Sequence, residues 1–144
     1  ALKSLEAVKV ELESEVAIFL APADFSFNRS NKSALRDFLD IVRSRFETVV
    51  FDAGPAWDPE EADCLADDTK TLAVRDPLQH GVSNRGRAYY RLPGPAGHKS
   101  RYEDPAIERL AEIAKSAEHE HAHYVFTNVD MFADGRRFKK AVGL

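Results

Sequence analysis

The chain has 144 residues, 44% of them hydrophobic and 31% charged, a balance typical of a globular protein and unlike that of a disordered one. Its net charge of −4 at pH 7 argues against indiscriminate binding to nucleic acid. No apolar run approaches the roughly 20 residues that cross a bilayer, and the N-terminus lacks a signal-peptide core. We therefore expect one cytoplasmic domain over residues 1–144.

The first forty residues predict a helix, a strand and a second helix. Apolar residues recur among charged ones over residues 5–12 with an imperfect helical period. Residues 16–22 form a short apolar run closed by proline, which is typical of a buried strand. Apolar side chains then recur at helical spacing up to Val42, and either Asn31 or Ser33 can cap that helix.

The middle of the chain predicts strand, helix and strand. Residues 48–51 form a second apolar run. Asp58 can cap a helix that has Pro59 in its first turn. Cys64 lies within this helical pattern, and we expect it to be a small buried residue because free cysteines usually are. Residues 71–74 form the third strand.

The last half predicts two more strands and two more helices. A fourth strand covers residues 87–92, a long helix starts at Asp104, a fifth strand covers residues 123–127, and a final helix starts near Ala133. Strands that alternate with amphipathic helices predict an α/β fold with a mainly parallel five-stranded sheet.

One connection breaks this alternation. Residues 77–86 have no helical periodicity and are short for a parallel crossover. Either this loop crosses an end of the sheet without a helix, or the fourth strand runs antiparallel.

A basic segment covers residues 77–102, which contain no acidic residue. Its cations are Arg85, Arg87, Arg91, Lys99 and Arg101. Guanidinium groups bind phosphate through paired hydrogen bonds, so the segment predicts an anion-binding site for a phosphate-containing ligand. Strand alternation places Arg87, Tyr89 and Arg91 on one face. The alternative is that these cations are solvated loop charges.

Three histidines lie within residues 118–123 and would share one face of an extended segment, where imidazole suits zinc or nickel. The segment enters the fifth strand at its N-terminal end, opposite the expected ligand face. We therefore expect a solvated linker and no metal site there, and no motif in the sequence predicts a cofactor.

Several motifs resemble the archaeal-type members of the domain-of-unknown-function 72 family. They are Asp76-Pro77, Tyr89-Tyr90-Arg91-Leu92-Pro93-Gly94, Tyr102, Tyr124-Val125-Phe126-Thr127-Asn128 and the segment from Met131 to Phe138, with Leu20-Ala21-Pro22 and the segment from Asp52 to Trp57 in the order of two further motifs. The resemblance implies a TIM-like β/α barrel, of which this chain supplies the last five βα units. It favours a parallel fourth strand and attaches no activity.

The chain departs from the family pattern at polar positions. Leu20 stands where the family usually has glutamine, and Asp52 and Ala53 stand where it has glutamate and arginine. Pro93 replaces a histidine, and Thr127 replaces the first residue of an asparagine pair. We expect any site that the family shares to be altered here.

Four polar residues fall at or near the C-terminal ends of different strands, where α/β proteins bind ligands. They are Asp52, Asp76, Arg91 and Asn128. Two carboxylates, a guanidinium and an amide could bind a phosphate or sugar or position a water for hydrolysis, so these are the candidate catalytic residues. Alternatively, the two carboxylates accept hydrogen bonds in turns and at helix starts, and Arg91 neutralises them structurally.

Two functions follow from these features. The first is a non-catalytic anion- or phosphate-binding module or subunit, and the second is a hydrolase or lyase acting on a sugar-phosphate or nucleic-acid substrate. Five strands would leave two edges unpaired, so we expect a homo-oligomer or a completing partner chain. A third hypothesis is that the chain is a fragment of a longer protein.

Overall fold

The computed structural model describes residues 1–83 and 85–144, and Asn84, which belongs to the connection over residues 77–86, lies outside them. The helices are α1 (Leu2–Leu12), α2 (Arg29–Val42), α3 (Pro59–Thr69), α4 (Pro77–His80), α5 (Asp104–Ser116) and α6 (Met131–Ala141). The strands are β1 (Val16–Leu20), β2 (Thr48–Asp52), β3 (Leu72–Arg75), β4 (Arg87–Leu92) and β5 (His121–Phe126). None of the helices in these two ranges is long and apolar enough to cross a membrane.

The strands pair in chain order, β1-β2-β3-β4-β5, and every pair is parallel. The predicted α/β fold with a five-stranded sheet and flanking helices is confirmed. The fourth strand is also parallel, as the resemblance favoured. The connection before it differs from the prediction, because Asp76 caps a single helical turn, α4, within the segment expected to contain no helix.

The chain divides into two compact units, Ala1–Ala73 and Val74–Leu144, called unit 1 and unit 2. The first two residues of β3 pair with β2 within unit 1, and its last two pair with β4 within unit 2. The expectation of one domain over residues 1–144 stays a prediction.

The core of unit 1 forms between one face of its strands and helices α2 and α3. Strand alternation turns Phe19 and Phe51 toward Leu39 of α2 and Leu65 of α3. The residues of β1 that point to the opposite side lie outside this core, and Leu20 among them is 59% exposed.

The core of unit 2 uses the same alternation. Tyr90 of β4 and Phe126 of β5 are buried together with Ile107 and Leu110 of α5, and Phe138 of α6 packs against them. The other face of β4 carries the two arginines together with Tyr89, which is also buried.

Two expectations about unit 1 are wrong. Helix α2 starts one turn earlier than expected, because Asn28 caps it by accepting a hydrogen bond from the Asn31 backbone N–H at 2.8 Å. The first turn of α2 carries no apolar side chain that would have revealed this start. Cys64 is exposed, because α3 turns its neighbours Leu65 and Ala66 toward the core instead. The cap at Asp58 is confirmed.

Candidate functional site

Asp52 lies at the end of β2 in unit 1 and stabilises the turn that follows. Its Oδ1 accepts a hydrogen bond from the Gly54 backbone N–H at 2.9 Å. The backbone of Gly54 has a φ of 86°, a conformation that favours glycine. The carboxylate also borders a cleft of about 310 Å³ whose walls are mainly aromatic and aliphatic, formed by Phe19, Leu20, Ala21, Pro22, Phe25, Ala34, Leu35, Phe38 and Phe51.

Asp76 follows β3 in unit 2 and caps α4. Its Oδ1 accepts a hydrogen bond from the Leu78 backbone N–H at 2.9 Å. Burial raises the pKa of this carboxyl above its ordinary value of 3.8, although the N–H groups of Leu78 and Gln79 and the charge of His80 oppose the rise. Both aspartates predicted to be catalytic therefore accept hydrogen bonds from the backbone of their own turns.

Arg91 lies on β4, on the face that the core of unit 2 does not use. Its Nε donates a long hydrogen bond of 3.4 Å to the Thr127 hydroxyl, and its side chain is half-buried. Arg87 and Tyr89 share this face, as predicted from the alternation of the strand.

The register of β4 with β5 adds two histidines to this face. Arg87 pairs with His121, and Tyr89 pairs with His123, whose ring centroid lies 5.7 Å from that of the tyrosine. Paired residues of parallel strands project to the same side. We call the five residues Arg87, Tyr89, Arg91, His121 and His123 the basic face.

The sequence did not reveal the histidines of the basic face. Residues 118–120 connect α5 to β5, as expected of a linker, but the expectation of a linker is wrong for residues 121–123. His121 and His123 belong to β5, which starts two residues earlier than predicted. Continuing the alternation backward from Tyr124 would have placed both histidines opposite the core.

His119 is also engaged rather than solvated. Its Nδ1 lies against the Arg85 carbonyl oxygen, and its Nε2 lies 2.7 Å from the Tyr90 hydroxyl. Because a carbonyl only accepts, Nδ1 donates, and the Tyr90 hydroxyl can donate to Nε2 when that nitrogen carries no hydrogen. The tyrosine oxygen in turn accepts from the Ser83 backbone N–H at 3.1 Å. This chain joins the loop before β4 to the start of β5.

The five cations of the basic segment occupy different places. Arg87 and Arg91 lie on the basic face, and Arg85 precedes β4 in the loop that His119 contacts. Lys99 and Arg101 lie in the loop between β4 and α5 and are exposed, and Arg101 lies 3.5 Å from Glu103. The structure thus groups two of the five arginines and lysines on one strand face.

Asn128 is buried, with 1% of its surface exposed. Its Nδ2 donates to the Ser100 carbonyl at 2.9 Å and to Oδ2 of Asp134 at 2.7 Å. Asp134 is equally buried, and its Oδ2 also accepts from the Tyr102 backbone N–H. Arg137 completes the network by donating to the other carboxylate oxygen of Asp134 at 2.8 Å. Asn128 therefore fixes the loop before α5.

Asp134 is the residue of this network that sequence analysis missed. It lies in the motif from Met131 to Phe138 that carried the resemblance, but that motif assigned it no contact. A buried carboxylate needs charge-assisted partners, and here Arg137 supplies one while also contacting Asp104. Across residues 1–83 and 85–144, no three histidine, cysteine or acidic side chains cluster as a metal site would require.

Parallel strands in chain order with flanking helices make this chain an α/β protein. A crystal structure of a DUF72 family protein from Enterococcus faecalis V583 has a similar fold, with a TM-score of 0.72 and 14% sequence identity over 99% of this chain. The chain spans 64% of the length of that protein. No protein-family model and no curated protein matches the chain.

This likeness confirms that the chain resembles a DUF72 family protein in fold. The archaeal-type assignment and the match to the last five βα units stay predictions, as do the catalytic roles of Asp52, Asp76, Arg91 and Asn128.

Substitution of Asn128 tests whether this residue is structural. We expect Asn128→Ala to lower the free energy of unfolding by about 1–3 kcal/mol, because it leaves buried partners without hydrogen bonds. Urea denaturation measures the loss. Asn31→Ala removes an exposed amide that donates to the Ser26 carbonyl, and it should cost less than about 1 kcal/mol. Equal losses in the two variants would contradict a structural role.

Substitution of Asp76 tests the rise in its pKa. A carboxyl whose pKa is raised in the folded state stabilises the fold below its unfolded-state pKa. This contribution is lost as the pH rises through its folded-state pKa. Asparagine caps helices as well as aspartate does, so Asp76→Asn should be at least as stable as the wild type at pH 7. We expect the difference to shrink as the pH falls below about 4, where the wild-type carboxyl is protonated.

Asp76→Ala is the control for the cap, because it removes the hydrogen bond as well as the charge. It should lose about 1 kcal/mol at pH 7. Urea denaturation at pH 3, 5 and 7 gives both comparisons. An Asp76→Asn protein that is less stable than the wild type at pH 7 and matches it at pH 3 would show that the carboxylate stabilises the fold.

Proposed function

We propose that the protein is a non-catalytic module that binds a phosphate-containing anion through the basic face. The observation that carries this proposal is the register of β4 with β5, which puts Arg87 and Arg91 on one face with His121 and His123. The sequence has no acidic residue within residues 85–102 or 121–127.

The chemistry of the basic face suits phosphate oxygens. Guanidinium groups donate hydrogen bonds in a planar fork that matches phosphate, and imidazole N–H groups can add further donors. Arg87 is exposed, so a ligand can reach it. Arg91 is half-buried, so its guanidinium group is already partly desolvated. Tyr89 lies between them but is buried, with 8% of its surface exposed, so the arginines and the two exposed histidines are left to supply the ligand contacts.

The contacts of the candidate catalytic residues support binding over catalysis. Asp52 and Asp76 each accept a hydrogen bond from the turn that follows, which is the structural role expected of these carboxylates as the alternative to catalysis. Asn128 is buried in its network with Asp134. The alternative, a hydrolase or lyase acting on a sugar-phosphate or nucleic-acid substrate, would need one of these aspartates as its base.

Binding measurements with two probes test the proposal. Isothermal titration with inorganic pyrophosphate and fluorescence anisotropy with a labelled single-stranded oligonucleotide should both detect binding at low salt. Removal of one charge-assisted contact costs about 1.5–3 kcal/mol, so Arg91→Ala and Arg87→Ala should each weaken binding about tenfold or more. Added salt should weaken it further.

Arg136→Ala is the matched control, because Arg136 is an exposed arginine on α6, away from β4 in the sequence. Its binding should equal that of the wild type. If neither probe binds at low salt, the proposal is wrong. Release of phosphate from a phosphate ester by the wild type, abolished in Asp52→Asn, would support the hydrolase instead.

We also propose that the module associates with a second copy of itself through β1. Within the described part of unit 1, β1 pairs with β2 alone, and the side chains of Ile18 and Leu20 are 45% and 59% exposed. The free edge of a strand presents unpaired N–H and C=O groups to another chain.

Light scattering tests this association. We expect a dimer at high protein concentration, and Ile18→Lys should shift it to monomer, because a lysine on an edge strand opposes pairing. Val10→Lys on α1 introduces the same charge at another exposed apolar position and should leave the dimer intact. A compact wild-type monomer at high concentration would contradict the proposal.

A further inference from the structure

Unit 2 contains a second cleft, separate from the basic face in its lining residues. Its volume is about 390 Å³, within the usual range for small-molecule sites. The end of β3, helix α4, the loop after β4 and the first turns of α5 form its walls. The lining residues are Asp76, Leu78, Gln79, Pro95, Tyr102, Pro105, Ala106 and Arg109.

The cleft contains one carboxylate and one guanidinium. The capping hydrogen bond uses one oxygen of Asp76, but an ionised carboxylate offers about four acceptor positions, so a ligand donor can still bind. Burial makes this carboxylate costly to keep ionised without a cation, as the rise in its pKa indicates. Arg109 of α5 offers donors suited to a carboxylate.

The rest of the wall is mainly apolar and rigid. Leu78, Pro95 and Pro105 contribute aliphatic surface, and two of these are prolines with fixed φ. The Tyr102 ring is held in place, because its hydroxyl oxygen accepts a hydrogen bond from the Gly94 backbone N–H at 2.8 Å and its ring meets that of Phe126 edge to face. Burial raises the pKa of Tyr102 to about 12, which is consistent with the enclosed position of its hydroxyl.

We propose that this cleft binds a small zwitterion with an apolar body, such as an aliphatic amino acid. Its ammonium group would pair with Asp76, its carboxylate with Arg109, and its aliphatic part would pack against Leu78 and the two prolines. A sugar would fit less well, because each buried hydroxyl needs a polar partner and Gln79 is the one remaining polar side chain among the lining residues apart from the Tyr102 hydroxyl.

Nuclear magnetic resonance titration of the full chain tests this inference. We expect L-leucine to shift the backbone amide signals of Leu78, Gln79 and Ala106, with a Kd of about 1 mM or tighter. 6-Aminohexanoate carries the same two charges farther apart, and comparing it with leucine shows which separation the cleft accepts. 4-Methylpentanoate lacks the ammonium group and leucinamide lacks the carboxylate, so each should bind at least about tenfold more weakly than leucine.

Variants separate this cleft from the basic face. Asp76→Asn and Arg109→Gln should each weaken leucine binding about tenfold or more, whereas Arg136→Gln should not change it. Asp76→Asn keeps the helix cap, and circular dichroism checks that it folds. Arg87→Ala and Arg91→Ala should leave leucine binding intact, so a failure of the anion-binding proposal would not affect this result.

Two results would overturn the inference. The first is the absence of shifts in the cleft with both leucine and 6-aminohexanoate at 10-fold the expected Kd, or about 10 mM. The second is equal binding of leucine and 4-methylpentanoate, because the carboxylate of Asp76 would then contribute nothing to recognition.

Discussion

The parallel register of β4 with β5 determines which side chains of unit 2 meet. It places Tyr90 beside Tyr124 in the layer that faces the helices, with ring centroids 5.1 Å apart. Once these rings are buried, strand alternation leaves Arg87 and Arg91 on the opposite side. A slip of one residue would exchange the two faces and bury both guanidinium groups in the aromatic core, so burial of the tyrosines enforces the basic face.

A second constraint is the buried carboxylate of Asp134. It joins three segments, because it accepts hydrogen bonds from Asn128 after β5, from the Tyr102 backbone before α5 and from Arg137 of α6. Tyr102 also lines the cleft that we assign to a zwitterion. The network therefore fixes one wall of that cleft without touching a ligand, and Asn128 contributes by positioning rather than by chemistry.

Local patterns predicted much of this arrangement. Period-two alternation over residues 87–92 predicted the shared face of Arg87 and Arg91, because that strand is buried on its other side. The same reasoning missed His121 and His123, since histidine and alanine are weak strand formers and it is pairing with β4 that extends β5 to include them. Backbone hydrogen bonding with a neighbouring strand is a tertiary effect that a single segment does not encode.

Helix starts show the same division between local and tertiary information. Asp58 was predicted as a cap because proline and two glutamates follow it, a local signal that is complete in four residues. The segment before α2 contains several small polar residues that could each serve as a cap, and in the folded chain Asn28 caps the helix, with its amide also in contact with the Ser26 hydroxyl at 3.1 Å. Where several residues fit a local rule equally well, contacts of the folded chain decide among them.

The two proposed ligand sites of unit 2 differ in the net charge that they can accept. The basic face carries two guanidinium groups and none of its five residues is acidic, so it favours an anion over a neutral ligand. In the cleft, the opposite charges of Asp76 and Arg109 sum to zero. A free anion would be repelled by Asp76 as well as attracted by Arg109. A ligand with both charges satisfies both groups. The distribution of charge in unit 2 therefore directs anions and zwitterions to different places.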